Sequence, residues 1–142
     1  AAVDEAWPRE KALWIRISAT DWLPGSLTPE DWIQWLNDLP RPMDMVHVSS
    51  GGLQKTPVSP YPGYMLPLAR EIRAGTGLPV IGVGFLDDDQ LIVQALESGA
   101  CDLAALGRGL LRNPNRVIDL AWRYGREEMV PRQYERGYRE RM

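Results

Sequence analysis

The chain has 142 residues, 44% hydrophobic and 25% charged, with 16 Lys and Arg against 19 Asp and Glu. That composition fits a folded globular protein rather than a disordered one, and a net charge of −3 argues against a nucleic-acid footprint. No run of about 18 apolar residues is available to span a membrane; one cysteine, Cys101, cannot form an internal disulfide, and one histidine, His47, cannot build a histidine-rich metal site.

The opening AAVDEAWPREK lacks the apolar core of a secretory signal, so a cytoplasmic protein is expected. Leu13 to Ser18 alternates, with Leu13, Ile15 and Ile17 on one face and Trp14, Arg16 and Ser18 on the other, which predicts a strand. Thr28-Pro29-Glu30-Asp31 reads as an N-cap, a proline at the first helical position and an acidic first turn. Trp32, Trp35, Leu36 and Leu39 then mark one helix face, and Pro40 and Pro42 stop the helix.

A second strand is expected over Met43 to Val48, running into Ser49-Ser50-Gly51-Gly52 and the proline-rich loop QKTPVSPYPG. The next helix carries Met65, Leu68, Ala69 and Ile72 and ends at Gly75 or Gly77. Pro79 to Gly84 predicts a third strand, Asp87 to Ser98 a third helix, and Leu103 to Leu106 a fourth strand. A Gly107-Arg108-Gly109 turn and a short helix follow, then a longer helix with Val117, Leu120, Ala121 and Tyr124. The order βαβαβαβα, with short connections, predicts parallel crossover units in a single domain over residues 1–142. The four units span about residues 12–125, and an arginine-aromatic tail, residues 126–142, looks suited to packing on something else.

In parallel α/β folds ligands bind at the C-terminal strand ends. Arg16 interrupts an apolar strand, and in a barrel it would point inward, where a guanidinium needs an anion or a strong acceptor; an ion pair with a neighbouring strand's carboxylate or a snorkelling edge-strand arginine would equally account for it. Gly82-Val83-Gly84 and Gly107-Arg108-Gly109 each close a strand before a helix, where bare backbone and helical N–H groups suit an anion and Arg108 adds a phosphate donor. The same glycines also fit ordinary turns. Ser49 to Gly52 either lines the same mouth or forms a polar turn. His47 shares the inward parity of Met45 and Ser49 and reads more simply as a core residue, Cys101 as a small buried hydrophobe, and the six tryptophans as packing.

The segments WIRISATDW, VHVSSGG, PYPGY, LPVIGVGF, DLAALGRGLLRNP and PRQYERGY, spread from Leu13 to Tyr138, resemble the C-terminal half of the Old Yellow Enzyme family. Its thermophilic-like ene-reductases, the NADPH dehydrogenases, are the nearest group. The resemblance implies a (β/α)8 TIM barrel of which this chain is a C-terminal (βα)4 half-barrel with a tail. It implies FMN at the barrel mouth, NADPH as reductant, and an activated alkene as substrate. It places Arg16 at the flavin's N1/O2 edge, Gly84, Gly107 and Arg108 around the FMN phosphate, and Arg136 in a neighbouring subunit's active site. His47 departs from the family pattern. The substrate-binding histidine and the tyrosine proton donor lie in the family's first half, so no catalytic residue is assigned here and the isolated chain should be inactive.

Partners are then the missing N-terminal half-barrel or a second copy, in a homo-oligomer, with no nucleic acid, membrane or metal. Two other readings compete. One is a non-enzymatic half-barrel assembly module that pairs through its open strand edges. The other is a phosphometabolite isomerase or lyase, for which the two lysines, Lys11 and Lys55, lie outside strand ends.

Overall fold

The structure, a computed structural model, describes residues 2–52 and 58–139. The chain divides into two compact units, Ala1–Ala105 and Leu106–Met142. The first holds α1 (Ala2–Ala6), β1 (Trp14–Ser18), α2 (Pro29–Asn37), β2 (Met45–Ser49), α3 (Leu66–Thr76), β3 (Val80–Gly82), α4 (Asp89–Glu97) and β4 (Leu103–Ala104). The strands form one sheet in the order β1-β2-β3-β4, every pair parallel. The predicted alternation of strands and helices is therefore present. Lys55 and the first part of the proline-rich loop, through Pro57, lie outside the described residues.

Strand parity decides which face is core. Ile17, Val46, Val48 and Val80 are buried against Leu36 of α2, Leu68, Ala69 and Ile72 of α3, and Ala95 of α4, with Cys101 completing the cluster. The opposite face carries Trp14, 57% exposed, and Leu103, 48% exposed. Helices thus cover one side of the sheet in this unit.

Two carboxylates set the register at the N-terminal strand ends. The Leu13 N–H donates to Asp44 Oδ2 at 2.7 Å, and the Asp44 N–H donates back to the Leu13 carbonyl at 3.0 Å. Asp102 repeats the arrangement between β3 and β4: the Val80 N–H donates to its Oδ2 at 2.9 Å, and its own N–H donates to the Val80 carbonyl at 2.8 Å. Arg73 of α3 grips Asp102 with Nε to Oδ2 at 2.9 Å and Nη2 to Oδ1 at 3.0 Å, and these bonds hold the carboxyl below its ordinary range.

Helix α2 starts as the sequence indicates. The Asp31 N–H donates to Thr28 Oγ1, and the Thr28 N–H donates to Asp31 Oδ2, a complete capping box. Trp35, expected on the core face, is half exposed and meets Trp32 edge-on at 5.4 Å. Trp32 takes the buried side because its indole N–H donates to the Ser18 carbonyl at 2.9 Å.

The strands are shorter than the apolar runs that suggested them. β3 ends at Gly82, because Gly84 turns to a φ of 125° that no strand adopts. Gly84 therefore does not open a helix: α4 begins at Asp89, where the Asp88 side chain accepts the Leu91 N–H. β4 keeps only Leu103 and Ala104, paired to β3 along one side.

The second unit holds α5 (Arg108–Arg112), α6 (Arg116–Arg123), a 3-10 turn at Glu127–Met129, and α7 (Arg132–Arg139). Ala121 is buried, whereas Val117 and Tyr124, expected beside it on a core face, are more than half exposed. So few residues and no sheet cannot cover a whole helix face. The tail, expected to pack on something else, contains the 3-10 turn and α7, and Tyr138 packs within its own unit. Its ring stacks on Trp122 with centroids 5.5 Å apart, and its hydroxyl donates to Asp119, which also accepts from the Asn113 amide at 2.8 Å. No helix among the described residues is long and apolar enough to cross a membrane.

Of the two glycines expected to end α3, Gly77 is the cap, at a φ of 70°. Gly75 lies inside the helix where α2 crosses, and a methyl group there would sit 2.5 to 2.8 Å from three carbons of Ile33. Gly75→Ala should accordingly destabilise the chain by about 1–3 kcal/mol, the usual cost of overpacking, despite alanine's better helix propensity. Urea denaturation measures this, and Ile33→Ala in the same chain should recover part of the loss.

Candidate functional site

At the C-terminal end of the sheet, the open face collects the polar residues that the apolar strands would not otherwise tolerate. The register fixes its rows. Trp14 pairs with Met45, Arg16 with His47, and Ser18 with Ser49; His47 continues to Ile81 and Ile81 to Leu103. The middle row therefore runs Arg16, His47, Ile81, Leu103 across four strands.

Arg16 is exposed, and its Nη2 donates to Ser49 Oγ at 3.2 Å. No carboxylate meets it among the described residues, so the ion pair that sequence parity left open does not form. His47 is half-buried beside it. Burial, and after it the Arg16 charge, push the imidazole below the ordinary histidine value.

The strand ends are tied by hydroxyls and indoles. Ser18 Oγ donates to Asp21 Oδ1 at 3.1 Å, Trp22 Nε1 donates to Ser50 Oγ at 3.0 Å, and the Trp22 N–H donates to Thr20 Oγ1 at 3.1 Å. The Ala19 N–H donates to the Ser49 carbonyl at 2.7 Å, and the Gly51 N–H to the Thr20 carbonyl at 2.8 Å. Ser49 closes β2, and Ser50 to Gly52 leave it without regular secondary structure, tied to the end of β1 by these bonds.

Two features escaped the sequence reading. Trp22 and Phe85 are the described non-glycine residues with positive φ, 58° and 51°, and they sit in the loops that follow β1 and β3. Such conformations are costly and cluster at binding sites. No residue type announces them, because neither tryptophan nor phenylalanine favours a left-handed backbone.

Gly84 and Gly107 differ in why they are glycine. A methyl group on Gly84 would meet the Met65 backbone nitrogen at 3.1 Å and two Met65 side-chain carbons at 3.2 Å, and the Gly84 carbonyl accepts the Gly63 N–H at 2.7 Å. Packing alone explains Gly84. Gly107, in the second unit, caps α5 with open space where a Cβ would stand. Arg108 is the first, exposed residue of α5, and Arg136 is exposed on α7. Arg16 and Gly84 therefore belong to the first unit, and Gly107, Arg108 and Arg136 to the second. Lys11 precedes β1 and lies over the Trp7 ring at 5.9 Å, away from the strand ends that a lysine catalyst would use.

The chain is 38% identical over 138 residues to a protein named NADPH dehydrogenase from Clostridium acetobutylicum, spanning 96% of this chain and 41% of that one. The protein of the same name from Geobacillus thermodenitrificans is 38% identical over 139 residues, and that from Listeria monocytogenes 34%. The chain is thus similar to proteins named NADPH dehydrogenase over nearly its whole length. It spans about 40% of the length of these curated relatives. No family model matches. Among solved structures, a 2-naphthoyl-CoA reductase in complex with 2-naphthoyl-CoA superposes with a TM-score of 0.61. That match covers 70% of this chain and 16% of the other at 21% identity, a likeness of fold.

The contrast between the two glycines is testable in this chain. Gly84→Ala should lower stability by about 1–3 kcal/mol through backbone strain and the Met65 contact. Gly107→Ala should cost less, about 0.5–1 kcal/mol, because the methyl has room but alanine is a poorer N-cap than glycine. Urea midpoints for the two variants check this, and equal losses would remove the distinction.

Proposed function

We propose that this chain is the C-terminal half of a (β/α)8 barrel belonging to an FMN-dependent NAD(P)H oxidoreductase that reduces activated C=C bonds. The observation that carries this reading is the one-sided sheet. Four parallel strands are covered by helices on one face and present Trp14, Arg16, His47 and Leu103 on the other. All-parallel sheets are found covered on both faces. Four more strands would turn the open face into a barrel interior, where side chains from neighbouring strands stack in layers. The relatives' lengths agree with such a missing part, and their name supports NADPH as reductant.

The residues fit FMN at two points. Arg16 makes one hydroxyl bond among the described residues, which leaves most of its guanidinium donors for the polar edge of a flavin. Gly107 stands in open space at the start of α5, with room for a phosphate beside the backbone and Arg108 next in the chain. FMN supplies the hydride chemistry when bound, between NADPH and the alkene. Arg16 would offset negative charge at the flavin edge, and Gly107 and Arg108 would hold the phosphate. Arg136 would reach the substrate site of a neighbouring subunit in a homo-oligomer. The proton donor and the groups that hold the substrate carbonyl belong to the remainder of the barrel, so this half is inactive by itself.

Produced together with the remainder of the barrel, the protein should be yellow, retain FMN through gel filtration, and oxidise NADPH when an enone is supplied. A complex that stays colourless after incubation with FMN overturns the reading, and a stable flavin-free homodimer in sedimentation favours an assembly module. Arg108→Ala should weaken FMN binding by about 1.5–3 kcal/mol, the range for hydrogen bonds to charged groups. Fluorescence quenching of added FMN measures this, and an unchanged affinity removes Arg108 from the site.

A further inference from the structure

His47 has no part in the assignments above, yet its surroundings single it out. It lies at the centre of β2, in register with Arg16 on one side and Ile81 on the other. Its Nε2 is shielded from solvent and has no hydrogen-bond partner among the described residues. A buried polar atom left unsatisfied is uncommon and points to a group the site has yet to receive. Arg16 is the charged residue that faces it from β1. Ile81 of β3, and Met45 and Ser49 on its own strand, contribute nothing that titrates.

We propose that His47 is a positioning residue for the group that Arg16 holds: its protonation adds a second positive charge on the open face and tightens the grip on an anion there. This rests on the reading of Arg16 as a ligand contact. In the neutral form His47 leaves Arg16 as the single cation of the row and offers the bound group one imidazole nitrogen. Burial and the neighbouring guanidinium both favour that neutral form near neutral pH.

Linkage fixes the sign. An anion beside Arg16 stabilises the imidazolium, so binding must raise the pH at which His47 titrates. By reciprocity, protonation strengthens binding by the same factor. Affinity for an anionic ligand should therefore rise as pH falls through the His47 titration. An Asn or Gln in its place could supply a hydrogen bond but no such dependence.

The test uses the fact that His47 is the single histidine of the chain. With this chain alone labelled with nitrogen-15, its imidazole signals are identified without further assignment, whether or not an unlabelled remainder of the barrel is present. In the first arm, His47 is titrated in the parent chain and in Arg16→Gln, without ligand. The midpoint should move upward in Arg16→Gln, and equal midpoints overturn the proposal. In the second arm, FMN is the probe, with the remainder of the barrel present. FMN reduced with dithionite, whose ring edge carries the negative charge that Arg16 faces, should raise the His47 midpoint, and oxidised FMN, with a neutral ring, should raise it less. His47→Gln should bind reduced FMN several-fold more weakly at pH 5, with a smaller change for oxidised FMN. Bound FMN with an unmoved His47 midpoint overturns the proposal while leaving the flavin reading intact. Absence of FMN binding at every pH overturns the flavin reading, and the Arg16→Gln arm then still decides the coupling.

Discussion

Everything in the first unit follows from the requirement that a parallel sheet bury two faces. The chain meets it on one side only. Helices α2, α3 and α4 close over Ile17, Val46, Val48 and Val80 and leave the other side to Trp14, Met45, Ile81 and Leu103. Apolar residues gain nothing by facing water, and in the proposed reading they form the surface that the remainder of the barrel covers. The arginine and the histidine among them are the reverse case. They are polar groups in a row that becomes interior once covered, so each needs a partner that the covering part or a ligand supplies.

The two ends of the sheet are built from different chemistry. At the N-terminal end, Asp44 and Asp102 each exchange two bonds with the residue opposite, and Arg73 locks the second carboxylate to a helix. These are charge-assisted or backbone contacts with little freedom. At the C-terminal end, serine and threonine hydroxyls and the Trp22 and Trp32 indoles make the connections. Hydroxyls can turn to accept or donate, so that end can accommodate a ligand without losing its register. The division matches the barrel rule that one end serves stability and the other chemistry.

Much of this was legible in the chain. Alternation in LWIRIS placed Arg16 opposite Ile15 and Ile17, and Thr28-Pro29-Glu30-Asp31 specified where α2 starts. Leu68, Ala69 and Ile72 marked the buried side of α3. What stayed hidden depends on contacts between distant residues. The sequence of Gly75 and Gly77 cannot say which one caps the helix and which makes room for Ile33. Trp32 and Trp35 obey the same periodicity, and only the Ser18 carbonyl separates the buried ring from the exposed one. The left-handed backbone at Trp22 and Phe85 is imposed by the loops around them. Arg16 and Ser49 lie far apart in the chain, and the bond between them exists because β1 and β2 pair in this register.

Cys101 links the sheet to its own dynamics. Its side chain is nearly inaccessible, packed at the back of β3 where a methyl group on Gly82 would sit 3.0 Å from its sulfur, and burial raises its thiol out of the reactive range. As the chain's single thiol, shielded in the core cluster, it is alkylated through local opening of the packing around it. Its modification rate is therefore a built-in clock for the opening of this edge of the sheet, readable by mass alone. The same clock should run more slowly once a partner closes the exposed face.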